Sequence, residues 1–348
     1  MKADVLIIGA GFAGAATAYH LACAKQSSVI VVEKEEVPGF HASGRNASLV
    51  LQSVEHGEIR EIVAQSQREY SERRSTVGYR PVGSLLLGDE QELRQLRQPD
   101  LVPTAFLDPG AVRERIHVLK GYQFESALLT MSDGIMDISQ LLGFYLEGSR
   151  NAGHELHLSC EVSAIKRSGD HFNVQTNLGL IEAGVVVNAA GAWAPRIAGF
   201  AGLKTLPMQA FKRHLFILEG IKKLDPDWPF VWSVASNFYF RPESGGLLFS
   251  VCDEEPGSGE FIQIVNPDIS IRLAELIAEE LPALADALER RVWSCFRTKT
   301  PDGEFHLGWS EEQPEFFWIA GLGGHGMGAS WELGRRAAEM LIAGPKRG

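Results

Sequence analysis

The sequence predicts a mixed α/β (α+β) fold, with a Rossmann-like nucleotide-binding domain and a second domain built on antiparallel sheet. Three observations predict it. The chain opens on a strand, glycine turn, helix, strand and acid over residues 4–33. It closes on a second glycine-rich loop that introduces a helix, residues 321–341. Between them, residues 211–251 show the alternation and turn punctuation of antiparallel strands.

In the opening unit, the apolar run Val5-Leu6-Ile7-Ile8 feeds into Gly9-Ala10-Gly11-Phe12-Ala13-Gly14. Gly9 suits the tight turn out of the strand. Gly11 lets a pyrophosphate approach the backbone, and Gly14 lets the helix pack closely on the sheet. The phosphates then meet a helix N-terminus, where unpaired N–H groups and the dipole favour negative charge. Residues 29–32 form a second apolar run that stops at Glu33, 19 residues after Gly14. That is close to the offset of roughly 20 expected of an acid that binds ribose hydroxyls. The carboxylate favours a free 2′-hydroxyl and repels a 2′-phosphate.

After Glu33 comes a loop of small and polar residues, 37–46, in place of a second crossover helix. A helix is predicted over 57–74 and a strand over 83–87. Ile138, Leu141, Leu142, Tyr145 and Leu146 keep helical spacing and predict a helix over 137–152. Short strands are predicted at 155–159, 162–165, 172–175 and 181–187. The last delivers Val186-Val187-Asn188-Ala189-Ala190-Gly191-Ala192-Trp193 to a turn where a ligand can come close. Strands at 211–218, 230–234, 238–241 and 247–251 make the second sheet. An amphipathic helix over 267–284 presents Ile271, Leu273, Leu276, Ile277 and Leu281 as its core side. Strands at 292–297 and 316–320 precede the last loop and helix.

Composition narrows the function classes. A chain of 348 residues buries a large core and suits two domains. The formal charge of −11 without a Lys/Arg cluster argues against nucleic acid. Cys23, Cys160, Cys252 and Cys295 are spaced too widely for a disulfide framework or a zinc site. His154 and His157 have the look of a metal pair but flank a strand, so no metal is expected. Residues 5–24 imitate a secretion signal, yet Asp4 stands where positive charge is needed and Tyr19-His20 interrupt the run. No other segment is apolar for long enough to be a transmembrane candidate. A cytoplasmic enzyme is the expectation.

Five motifs in fixed order carry a resemblance: GAGFAG (9–14) with Glu33, HASGRN (41–46), VVNAAGAWA (186–194), FRTKTPDG (296–303) and GGHGMG (323–328). Together they resemble the D-amino-acid oxidase/glycine oxidase family of flavoproteins over nearly the full chain. The pattern is similar to bacterial D-arginine dehydrogenase and, around Cys295, to monomeric sarcosine oxidase. The resemblance implies a glutathione-reductase-type FAD domain from residues 1–77, 141–204 and 293–348, and a substrate domain from 78–140 and 205–292. It implies that Gly9, Gly11, Phe12, Ala13, Gly14, Glu33 and Lys34 hold the ADP half of FAD. Ser43, Gly44, Arg45, Asn46 and Ala47 would line the path to the flavin, with Val162, Gly191, Ala192 and Trp193 against the cofactor. Gly323, Gly324, His325, Gly326 and Met327 would point backbone N–H groups at the flavin, where negative charge grows on reduction. Cys295 stands where a relative has a cysteine tethered to flavin, so a covalent link is a candidate there.

On the substrate side the resemblance implies oxidation of a carbon next to an amine, with hydride passing to flavin N5. Arg297 and Tyr239 match residues that bind the substrate carboxylate, Arg213 matches a further pocket arginine, and His325 could sit near the flavin. The departures are informative. Leu49 and Val54 replace a histidine and a tyrosine of D-arginine dehydrogenase, and no acid follows Arg80-Pro81. Without that acid a cationic side chain lacks a partner, so a small or apolar amino acid (a D-amino acid, glycine or an N-methyl amino acid) or amine is the expected substrate. Ser250 stands about where sarcosine oxidase has a lysine, which leaves O2 or a quinone as the electron acceptor. Three other readings stay open: a 2-hydroxy acid substrate, a flavin-bearing subunit of a larger dehydrogenase complex, and an NAD-dependent dehydrogenase.

Overall fold

The computed structural model describes residues 1–25, 28–53, 57–97, 100–257 and 265–345; Val54 lies outside them. The expected mixed α/β architecture is what forms. Five parallel strands lie in the order Phe316–Ala320, Gly179–Asn188, Lys2–Ile8, Val29–Val32 and Glu155–His157. Their residues alternate between two apolar faces, which is why these strands read as nearly continuous hydrophobic runs. Val5, Ile7, Val29, Val31 and Phe317 face the helices Phe12–Cys23, Ile138–Asn151 and Ser330–Ala343. Leu6, Ile8, Ile30, Val32 and Phe316 face the hairpin Val162–Ser168/His171–Thr176 and the helix Ala194–Phe200.

The second sheet has nine strands. Gln209–Glu219 is its spine, paired along almost its whole length with Leu288–Lys299. The boundary expected at 293 falls within that strand, which stays paired in this sheet through Lys299. One face, with Phe238, Phe240 and Phe249 stacked at 5.6–6.4 Å, packs under Val112, Leu273 and Leu284. The other face, with Leu215, Ile217, Tyr239 and Leu248, packs against Ala47 and Leu51 of the nucleotide-binding domain. A cleft opens along this second contact.

Element boundaries differ from expectation in a few places. The helix expected over 57–74 is Gly57–Glu72 followed by a short turn of helix, Arg74–Val77. The helix expected over 267–284 ends at Glu280. Of its expected core side Leu273 is buried and Ile271 is 58 % exposed. Residues two apart on a helix point to opposite sides, so Ile271 and Leu273 cannot share a face. The strands Ala105–Leu107, Ser126–Thr130 and Gly134–Met136 and the helices Glu90–Gln95 and Pro109–Arg115 were not anticipated. Among the described residues no helix is long and apolar enough to cross a membrane, and no cluster of His, Cys, Asp or Glu could hold a metal.

A buried acid ties together segments distant in the chain. Asp133 accepts hydrogen bonds from the Gln52 backbone N–H at 3.0 Å, Gln52 Nε2 at 2.8 Å and Ser84 Oγ at 2.6 Å. Burial nonetheless pushes its carboxyl up from 3.8 to about 6, with those three bonds opposing. The folded state therefore holds this proton more tightly than the unfolded chain does. Its stability contribution is full below pH 3.8 and falls as pH rises through about 6, by at most about 3 kcal/mol. Asp133→Asn should flatten this slope, so that denaturant midpoints at about pH 4 and pH 7 differ less in the variant than in the unaltered chain.

Candidate active site

The cleft begins where the first strand ends. Gly9 leaves the strand at φ 110°, and a Cβ there would lie 2.5 Å from the Ala189 carbonyl oxygen. This position requires glycine on both counts. Gly11 starts the helix Phe12–Cys23 without a side-chain cap, and no acid stands in its first turn. Such an N-terminus suits an anion. The Ser43 hydroxyl accepts the Phe12 N–H at 3.1 Å, which draws the 41–46 loop onto the same end. Glu33 is fixed at the tip of the second strand: its carboxylate accepts the Ala10 and Glu35 N–H groups, both at 3.0 Å. Lys34 Nζ lies 3.8 Å over the Trp193 ring, and the His41 ring packs on the same indole at 4.3 Å. His41 Nε2 contacts Glu35 at 2.7 Å; burial pulls its pKa down while Glu35 opposes.

Further along, Asn46 braces its own loop, donating to the Ser43 carbonyl and accepting the Ser48 N–H, both at 2.7 Å. The last glycine loop closes the cleft from the far side. Gly323 N–H donates to the Thr298 carbonyl at 2.8 Å, and Tyr70 donates to the Met327 carbonyl at 3.0 Å. Gly324 has φ 96°, and a Cβ on it would come within 3.0–3.1 Å of the Arg297 guanidinium. The glycine thus makes room for an arginine as well as for a ligand.

Strand alternation assembles the reactive end. On neighbouring strands Arg213 pairs with Cys295 and Phe211 with Arg297. Cys295 and Arg297 are two apart, as are Arg213 and Leu215, so all four share the face that lines the cleft. Tyr239 joins them from a strand beyond. Its hydroxyl is buried without a hydrogen-bond partner among the described residues. Burial raises its pKa, with Arg297 and Arg213 pulling the other way. The side chain of Arg297, a half-buried residue, makes no hydrogen bond or ion pair to any described residue. Arg213 is engaged, donating to the Asp253 carbonyl and to Glu254.

The cleft is lined by Gly9, Gly11, Phe12, Ala13, Glu33, Lys34, Ser43, Asn46, Ala47, Val162, Gly191 and Trp193. It is also lined by Arg213, Tyr239, Cys295, Arg297, Gly323, Gly324, Gly326 and Met327. Four expected positions do not line it. Gly14 packs on the strand, where a Cβ would lie 2.0 Å from the Gly9 carbonyl oxygen; Gly44 packs against Gly39. Arg45 turns back, its Nε donating to the Phe40 carbonyl at 3.0 Å. His325, expected beside the flavin, has its N–H bonded to the Leu322 carbonyl at 2.8 Å and its ring near Phe305. The tight turn through Gly323 and Gly324 presents backbone to the cleft, and His325 Nδ1 lies 3.7 Å from where a Cβ on Gly323 would stand. Lining residues not anticipated include His41, Glu161, Arg196, Leu215, Phe296 and Thr298. Thr298 follows Arg297 and His41 begins the HASGRN loop, so adjacency to a motif was the available signal.

A family model described as FAD dependent oxidoreductase (DAO) matches residues 4–340. The chain belongs to this family. Human mitochondrial dimethylglycine dehydrogenase is 27 % identical over 265 residues, covering 71 % of this chain and 30 % of the relative. The mouse protein of the same name is covered to 43 %, so the chain spans less than half the length of these relatives. Sarcosine oxidase subunit beta of Rhizobium meliloti is 26 % identical, over 86 % of this chain and 75 % of that one. Among solved structures, L-proline dehydrogenase from P. horikoshii superposes with a TM-score of 0.87 at 23 % identity, covering 99 % of this chain and 95 % of that one. Glycine oxidase from Geobacillus kaustophilus gives 0.83 at 24 %, with 99 % and 96 % covered.

The residues that line the cleft fit the FAD named in the family's description. The uncapped helix N-terminus at Gly11 with Ser43 suits the pyrophosphate, Glu33 suits the ribose, and the 321–327 backbone suits the flavin. Burial pushes the Cys295 thiol up, with Arg297 and Arg213 opposing. The thiolate that a tether would need is therefore disfavoured. Cys295→Ser should leave flavin attachment unchanged: after acid precipitation, yellow colour should divide between pellet and supernatant as in the unaltered chain. Pellet colour lost only in the variant would establish the tether.

Proposed function

We propose that the chain oxidises the C–N bond of a small amino acid or N-methyl amino acid. What carries this reading is one observation: the unpaired Arg297 guanidinium beside the unpartnered, buried Tyr239 hydroxyl. A buried polar group without a partner costs about 1–3 kcal/mol. A carboxylate satisfies both groups at once, accepting charge-assisted bonds from the guanidinium and a further bond from the phenol.

Arg297 and Tyr239 would orient the carboxylate, and the α-carbon follows from that anchor. FAD would supply the acceptor for the hydride of this carbon; with the nitrogen's proton passed to water, the C–N bond would become an imine, which water would hydrolyse. Leu49 and Leu215 supply apolar walls, and the loop of 321–327 keeps backbone against the cofactor. The acids among the lining residues are Glu33 and Glu161. Glu33 sits at the nucleotide end, and Glu161 pairs with Arg196, so neither offers a counter-ion to a cationic substrate side chain. This favours small or apolar substrates over arginine.

A second reading, a flavin-bearing subunit of a larger assembly, is favoured by the relative that is itself a subunit and that the chain spans to three quarters. Anaerobic mixing of the purified chain with D- and L-amino acids, glycine, sarcosine and 2-hydroxy acids separates the possibilities. Bleaching of the flavin by a carboxylate-bearing amine is expected, whereas bleaching by hydroxy acids alone would redirect the reading. Bleaching by none would leave the subunit role. Arg297→Ala should weaken use of the preferred substrate about 30-fold or more, mainly through KM, and Tyr239→Phe by roughly fivefold. Peroxide formed during turnover in air would make O2 the electron acceptor in place of a quinone.

A further inference from the structure

Two arginines line the reactive end, and they differ in one respect. Arg297 forms no ion pair with a described residue and feels Glu254 only at longer range, whereas Arg213 is hydrogen-bonded to that acid. Its Nη2 donates to Glu254 Oε1 at 2.9 Å and its Nε to the Asp253 carbonyl at 3.0 Å. Arg213 is only 5 % exposed, whereas the Glu254 side chain is 35 % exposed, so water reaches the pair from the Glu254 side alone. Glu254 also accepts Lys299 Nζ at 2.6 Å. The neighbouring Asp253 cannot take over the task. Its carboxylate accepts the His214 backbone N–H at 3.0 Å and His214 Nδ1–H at 2.7 Å. His214 Nε2 in turn accepts the Asn266 N–H at 3.1 Å, which sets the tautomer and commits Asp253 to it. Removing the Glu254 charge would therefore release one guanidinium. The Nε bond to the Asp253 carbonyl would keep that guanidinium in place beside the cleft.

The geometry points to Glu254 as the residue that limits the substrate to a single carboxylate. By occupying Arg213 it leaves Arg297 as the one guanidinium open to an anion, so the reactive end takes monocarboxylic amines and refuses dicarboxylic ones. A second carboxylate approaching Arg213 meets a cation already neutralised and the like charge of Glu254. Glu254 is not among the residues lining the cleft; it acts through Arg213 and is a positioning residue. The inference rests on the carboxylate reading of Arg297.

The test compares kcat/KM of the flavin-loaded enzyme on matched pairs, sarcosine with iminodiacetate and alanine with aspartate in both chiral forms. Glu254→Gln and Glu254→Ser are both made, so that either folded variant decides. The dicarboxylate-to-monocarboxylate ratio is expected to rise roughly tenfold or more, the gain of one charge-assisted pair. Glu254→Asp, which keeps the charge, should hold the ratio close to its original value. Arg213→Met added to Glu254→Gln should erase the gain, an outcome that general loosening of the pocket would not produce. Monocarboxylate turnover with an unmoved ratio overturns the inference and leaves the proposed function standing. Oxidation of no carboxylate-bearing amine by any of these proteins overturns the carboxylate reading and this inference with it.

Discussion

A positive charge left without a counter-ion at the end of a cleft organises this molecule. Arg297 reaches that position because it alternates with Cys295 on a strand paired to Gln209–Glu219. It fits there because Gly324 has no side chain to collide with the guanidinium. The described acids nearby are spent elsewhere: Glu254 on Arg213 and Lys299, Asp253 on His214. On the proposed reading the Arg297 guanidinium is kept for a substrate carboxylate. The unpartnered Tyr239 hydroxyl shares the same end of the cleft. An arrangement of this kind lowers the stability of the empty protein and is recovered when a ligand pairs it, which is how a binding site differs from a core.

The two sheets divide the labour. The parallel sheet, buried on both faces, holds the helix N-terminus and Glu33 at the ends of adjacent strands. The second sheet, antiparallel except where Phe230–Ser233 runs parallel to Ser84–Gly88, turns one face to a helical cover and the other to the cleft. Contacts between them are specific: Trp293 Nε1 donates to the Arg45 carbonyl at 3.0 Å, and Arg241 Nε donates to the Ala47 carbonyl at 2.8 Å. These bonds hold the loop after Glu33 onto the second sheet.

Much of this was legible in the chain itself. The run Val5–Ile8, the glycines after it and Glu33 form a local unit whose geometry follows from short-range rules. So do the helix Ile138–Asn151, with its periodic apolar residues, and the loop before Ser330. The segment from 88 to 136 was harder to read. Its helices are a turn or two long and carry Asp89 and Asp108 as N-caps, but their apolar content is too sparse for periodicity. Its strands are stabilised by pairing with distant partners, as Ser84–Gly88 is with Ser126–Thr130. The site shows the same division. Arg213, Tyr239, Cys295 and Arg297 were recognisable as candidates, yet which arginine is neutralised depends on Glu254, some forty residues from Arg213.

The account stands or falls on whether the reactive end reads a carboxylate. The direct measurement is a titration of the oxidised flavoprotein with matched inert ligands, propionate and propionamide, followed by the shift in flavin absorbance. The two differ in charge and hardly in size. The account predicts that the carboxylate binds at least about tenfold more tightly, with the preference weakening as salt is raised. Equal affinity for acid and amide would contradict it.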